Sequence, residues 1–274
     1  MVFVVNIYSL SKQSYPENKY KIAKFMVRSI FYYKPLKFLE SNLNQQTRVE
    51  LEKKHPEFFT KCMRPYMDLT LPRTKAMKMV VEHHDWIIKK SLNDVYSNGV
   101  NLGGVTIGED TYHFVLSYES RYWKEGELTL RLTDLKENYY VISFTIFEGK
   151  AYVGGVQGPE KDSGFSKKMT KELYGLRPKS LILEVLRTWL KKHDINAICG
   201  IRKKYHTYSS IRYRNISFDF DRYWSEHGGD HGQKHFFNVP LSQARKDLES
   251  LSRTKRKMYR KRYQFLDSLP EILN

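Results

Sequence analysis

A run of small residues interrupts an otherwise bulky chain at AYVGGVQGPEKDSG, residues 151–164. Gly154, Gly155, Gln157 and Gly158 end an apolar, β-branched segment there, and glycines at a strand end let a ligand or another backbone approach because no Cβ intervenes. Farther on, Arg177, Lys179 and Ser180 surround Pro178 at the start of a long apolar-periodic segment. Free N–H groups and the positive dipole end of a helix would favour an anion at that point. Together these residues outline a cradle for a phosphate-bearing ligand. A second reading needs no ligand: Gly154 and Gly155 form a β-bulge and Gly158–Pro159 a turn. A P-loop is excluded, because GxxxxGK[ST] does not occur.

Proton transfer needs a base and an acid near the reacting atoms. His206 and Tyr208 follow the short apolar segment NAICGI at 196–201, and Glu125 and Glu127 open a β-like run. The alternatives are a buried tyrosine bonded to a carbonyl, a surface histidine beside Lys203 and Lys204, and solvated strand-start glutamates. His227, Asp230, His231 and His235 carry metal-ligating groups, but Gly228, Gly229 and Gly232 break any helix that would align them. That segment reads as a solvated loop, and no metal is expected.

The 274 residues carry a net charge of +17, a field that favours nucleic acid, anionic lipid or phosphate-bearing small molecules. Seven of the ten residues from 253 to 262 are basic. Arg253, Arg256, Lys257, Arg260 and Lys261 would grip an anionic membrane surface, or form the solvated back of a helix docked by Tyr259, Tyr263, Leu266 and Leu269. No zinc-finger, RNA-recognition or helix-turn-helix pattern accompanies them, so sequence-specific nucleic-acid binding is not expected. Cys62 and Cys199 give no disulfide framework, which points to a reducing, cytoplasmic setting, peripheral at the inner membrane if the basic residues bind lipid. The opening MVFVVNIYSL lacks a basic leader and is too short to span a bilayer; it reads as a core strand or docked terminus, with an interfacial role as the alternative.

The elements that would position these groups fall in two parts. Residues 1–96 form a helical N-terminal region, with two or three short helices interrupted near Pro56 and Pro65. Glycine-rich 97–110 reads as a loop or hinge. Residues 97–274 form an α+β domain: strands over TYHFVLSYES, ELTLRLTD, YYVISFTIFE and AYVGGVQG, helices over SGFSKKMTKELYG and PKSLILEVLRTWLKKHD, then the strand at 196–201. ISFDFDRYWSEHGG reads as a short strand entering a helix capped by Asp219 or Asp221; HFFNVPL is one more strand, and 252–269 a basic C-terminal helix.

Several strings resemble the VirK/YbjX family of Gram-negative bacteria: HPEFFTKCMRPYMDLTLP, WKEGELTLRL, VGGVQGP, MTKELYGLRPKSLILEVLR, HTY at 206–208, FDFDRYWSEHGG, HFFNVPL and RTKRKMYRKRYQFLDSL. They run in order from about 55 to 269. The resemblance implies a link to virulence, to survival against cationic antimicrobial peptides and to the cell envelope, and it carries over no catalytic residues. The element order also looks like GNAT-type acyltransferases, with a mixed-sheet core that binds acyl-coenzyme A at a glycine-marked strand end. Those enzymes usually place Gln or Arg and then Gly-x-Gly or Gly-x-Ala at the helix start, whereas this chain has GPEKDSG and an extra helix before LRPKS. The expectation is acyl or aminoacyl transfer to a protein or envelope component from coenzyme A, acyl-coenzyme A or a carrier protein. The alternative is a non-catalytic basic factor binding an anionic membrane or a partner protein.

Overall fold

The computed structural model describes residues 6–159, 161–162, 164–210, 213, 216–232 and 234–273. Period-two segments pair in sequence order: β1 (Val100–Ile107), β2 (Asp110–Ser117), β3 (Leu128–Thr133), β4 (Asn138–Phe147) and β5 (Lys150–Gln157) form an antiparallel meander. The β4–β5 turn is tight because Glu148 and Gly149 both take positive φ, +49° and +68°, the conformation that matches the twist of a two-residue hairpin. A crossover then returns β6 (Ala197–Ile201) parallel to β5, and β7 (Phe236–Val239) closes the seven-stranded sheet antiparallel to β6. The chain is thus an α+β protein with a mixed sheet.

The N-terminal part is more finely divided than the prolines suggest. It comprises α1 (Ile7–Ser14), α2 (Lys19–Phe31), α3 (Tyr33–Asn42), α4 (Gln45–Lys54), a 3₁₀ segment at Phe58–Met63 and α5 (Arg73–Lys89). Asn6, Asn18 and Asn44 set three of the starts, each accepting backbone N–H bonds on its side-chain oxygen. Of the opening apolar stretch, the described residues form the docked helix α1, with Leu10 buried, and not a strand; residues 1–5 lie outside the described residues.

Glycine-rich 97–110, expected as a loop, holds β1. Its register shifts between Asn101 and Gly104, and Gly103 sits at φ +125° where a Cβ would stand 2.0 Å from the carbonyl oxygen of Ile272. These glycines admit the C-terminal helix to the sheet edge. After the meander come α6 (Phe165–Glu172), α7 (Pro178–Lys192), α8 (Phe220–Glu226, capped by Asp219) and α9 (Arg253–Ile272). Residues 216–218, expected to open a strand, are irregular.

Helices cover both sheet faces. Trp189 of α7 packs on Phe144, while Tyr66 bonds Thr145, whose side chain points to the other face of β4. One apolar core runs from Phe25 and Leu36 through Phe144 and Trp189 to Leu269. Among the described residues, no helix is long and apolar enough to cross a membrane.

Candidate functional site: a Glu–His cleft beside a cationic groove

The site begins where two parallel strands part. Pairing of β5 with β6 ends at Val153–Gly200, while β5 continues to Gln157. On its other side β5 bulges against β4, since Ser143 pairs with Gly155 but Phe144 pairs with Val153. A Cβ on Gly154 would stand 2.1 Å from the Glu125 carbonyl oxygen and 2.6 Å from Met67 Cγ; one on Gly155 would stand 2.7 Å from Glu125 Cδ. The bulge reading therefore holds for these two glycines, and what approaches them is the protein's own Glu125. Its carboxylate is buried and takes a 2.7 Å hydrogen bond on Oε2 from Gln157 Nε2.

His206 arrives from the turn after β6. The turn is pinned to the 66–68 segment: Leu69 N–H donates to Tyr205 O at 2.9 Å and Thr207 N–H to Met67 O at 3.0 Å. His206 Nδ1 accepts the Tyr208 N–H at 3.1 Å, so the ring proton belongs on Nε2. The ring stacks on Phe220, and Nε2 lies 3.2 Å from Glu125 Oε1, off the line of a good hydrogen bond. Both side chains are buried yet border a 790 Å³ cavity with Gln157, Gly158 and Tyr208. Burial, helped by the Glu125 charge, pushes the Tyr208 phenol up to about 12, so it holds its proton at neutral pH. The arrangement offers a carboxylate to accept a proton, an imidazole to steady it and a phenol to donate one.

A 920 Å³ groove lies alongside. The start of α7 contributes Arg177 and Lys179, α6 contributes Lys167 and Lys171, and α9 contributes Arg253, Lys257 and Lys261. Among the described residues its lining contains no carboxylate. Lys179 pairs with Glu226 at 3.7 Å; the other six cations have no ion pair among the described residues. Tyr140 and Lys179 border both cavities, and Tyr140 is held by a 2.8 Å bond to Ser166. A Cβ on Gly158 would press on Tyr140 Cε1 at 2.9 Å, so this glycine keeps the dividing ring in place.

Other expected site residues lie elsewhere. Glu127, two residues from Glu125, points into the core, where Lys61 Nζ stands 2.5 Å and His84 Nε2 3.1 Å from its carboxylate. Burial opposes its ionisation, yet those two partners hold its pKa well below the usual carboxylate range. It is a structural group and not a cleft base. Ser180 is absent from the groove lining and faces His227 Nε2 at 3.4 Å. Arg256 pairs with Glu249 at 3.0 Å, and it and Arg260 stand outside the groove. The histidine-rich segment disperses: His227 is buried, His231 bonds Arg202, and His235 Nδ1 meets buried Asp68 at 2.6 Å. Among the described residues, no three His, Cys, Asp or Glu gather as a metal site.

Sequence reasoning missed Tyr140 and Phe220, whose signal is only their place in a strand and after a cap, and Lys61, a lone cation inside the apolar FFTKCM.

These features define a mixed α+β protein with a buried acid–base pair at a parallel-strand split and a cationic groove at its side. The chain belongs to the family described as "Protein of unknown function (DUF535)", which matches residues 15–274 and bears out the VirK/YbjX resemblance. It is 25% identical to "Uncharacterized protein YbjX" of Escherichia coli strain K12, over 79% of this chain and 71% of that one. An "Uncharacterized protein" of Haemophilus influenzae is 31% identical over 59% of this chain and 56% of its own length, so the chain spans only about half of that relative. "Membrane protein LapB" of Mannheimia haemolytica is 19% identical over 73% of this chain and 89% of its own. No solved structure matches.

Proposed function

We propose that the protein transfers an acyl group from a thioester donor, with the donor's phosphates over the cationic groove and its carbonyl in the Glu125–His206 cleft. The observation that carries this reading is the junction at Tyr140 and Lys179, which joins the cleft of the buried Glu125–His206 pair to a groove lined by seven cations, six of them without an ion pair among the described residues. The meander, the split β5–β6 pair and the helix after it support a GNAT-like core. In the step proposed, Glu125 takes the proton of an amine or hydroxyl acceptor, the acceptor attacks the thioester carbonyl, and the carbon–sulfur bond breaks. Tyr208 returns a proton to the departing thiolate. Coenzyme A and a phosphopantetheine carrier protein share the thiol and phosphate chemistry required. The acceptor in this proposal is a protein or an envelope component.

The test is calorimetric titration with coenzyme A and long-chain acyl-coenzyme A. Micromolar binding is expected, weakened by Arg177→Glu or Lys257→Glu and abolished by Gly158→Trp, which displaces Tyr140. A folded protein that binds neither coenzyme A or its acyl thioester nor an acylated carrier protein would overturn the reading.

A further inference from the structure

We propose that helix α2 docks the protein onto an anionic lipid bilayer, independently of the acyl-transfer reading. A helix on a globular surface ordinarily turns a polar face to water. In α2, Phe25 and Ser29 face inward against α1 and the 58–63 segment. The opposite arc is apolar too. Tyr20, Val27, Ile30 and Phe31 recur at helical spacing and are 73%, 57%, 72% and 79% exposed. Among the described residues, seven of the nine exposed large apolar side chains lie between Tyr8 and Tyr33, so the exposure is concentrated on one region.

Charge selects the occupant. From Tyr8 to Lys37 the chain carries seven cations and one carboxylate, Glu17. Lys19 and Lys24 stand at the two edges of the exposed arc, Lys24 reaches over the Tyr20 ring at 5.7 Å, and Lys12 of α1 reaches over Tyr8 at 5.2 Å. An apolar stripe bordered by lysines and tyrosines is what an interfacial helix presents: the stripe enters the headgroup–acyl boundary and the cations meet lipid phosphates. A second copy of this chain would instead bring two strongly cationic faces together, which like-charge repulsion opposes. The basic residues of α9 do not compete for this role as a set, because three of them line the groove.

Co-sedimentation of the full chain with phosphatidylglycerol-containing and pure phosphatidylcholine vesicles tests the proposal. Stronger partitioning to the anionic vesicles is expected, and it should weaken about tenfold or more in an Ile30→Ser/Phe31→Ser double variant. Both positions are exposed, so circular dichroism should be unchanged. Lys257→Glu/Lys261→Glu should partition as wild type. Vesicle binding that survives the serine variant would overturn the proposal, as would no binding by wild type. So would light scattering showing a dimer that the serine variant converts to monomer, which would make α2 an interface between copies.

Discussion

Gly155 has no Cβ because the Glu125 carboxylate occupies the space where one would be: Cδ of Glu125 lies 2.7 Å from that point. The glycine belongs to the carboxylate. It is the β5 bulge, the bond from Gln157 and the approach of His206 that together fix the place of the Glu125 carboxylate.

Gly155→Ala should therefore damage chemistry as well as stability. The added methyl pushes the carboxylate away from His206 at a cost of about 1–3 kcal/mol for overpacking, while the strand backbone stays extended. A tenfold or greater fall in thiol release from acyl-coenzyme A is expected, with coenzyme A titration unchanged. A variant that transfers normally would show that the placement of Glu125 is immaterial.

Glu125→Gln removes the proposed base and keeps its shape, and His206→Asn removes the imidazole beside it. Each should lower transfer by roughly 10²–10⁴, the range for loss of a general acid–base group, with little change in donor affinity. The double variant should be scarcely worse than either single, because the two residues act as one unit. Full activity in Glu125→Gln would assign the base elsewhere.

Much of this architecture is legible in the sequence. Alternating, β-branched runs announce β2 to β5, and the apolar face from Leu181 to Leu190 announces α7. What escapes is non-local. Nothing near 97–110 reveals that Gly103 must admit Ile272, so its glycines read as a hinge. Glu125 and Glu127 look alike in sequence, yet one meets His206 and the other meets Lys61 and His84, partners that only the folded chain brings together. Likewise the cations of α9 read as a single face, and the helix turns Arg253, Lys257 and Lys261 toward the groove while Arg256 folds back on Glu249.

The Lys61–Glu127 pair ties the 58–63 segment to the sheet, and it is fully buried. Lys61→Met strands a buried carboxylate and should cost about 3–5 kcal/mol. That corresponds to a fall in Tm of roughly 10 °C for a chain of this size. Lys61→Met/Glu127→Leu, which removes both charges, should recover part of the loss. Thermal unfolding of the two singles and the double gives the coupling; strictly additive losses would mean the pair contributes no specific interaction.

Acid should destabilise the protein before its carboxylates titrate. Burial, reinforced by the Lys61 charge, pushes His55 down to about 4, and burial with Arg187 does the same to His227. Burial also holds His83 well below its ordinary value. An unfolded histidine titrates near 6.5, so between that pH and about 4 the unfolded chain binds protons that the folded one refuses. The stabilisation from these rings is complete above pH 6.5 and is lost as pH falls toward 4, by about 2 kcal/mol for each of His55 and His227 at pH 5. Glu127 acts in a lower window, because its stabilisation is complete above the ordinary carboxylate range and is lost progressively as pH falls through and below that range. Tm should thus hold nearly level from pH 7.5 to about 6.5 and decline from there to pH 5, and His55→Gln, which keeps a hydrogen-bonding partner for Tyr118, should flatten that decline. An unaltered Tm over the interval would mean that these histidines take up protons in the folded state as readily as in the unfolded chain.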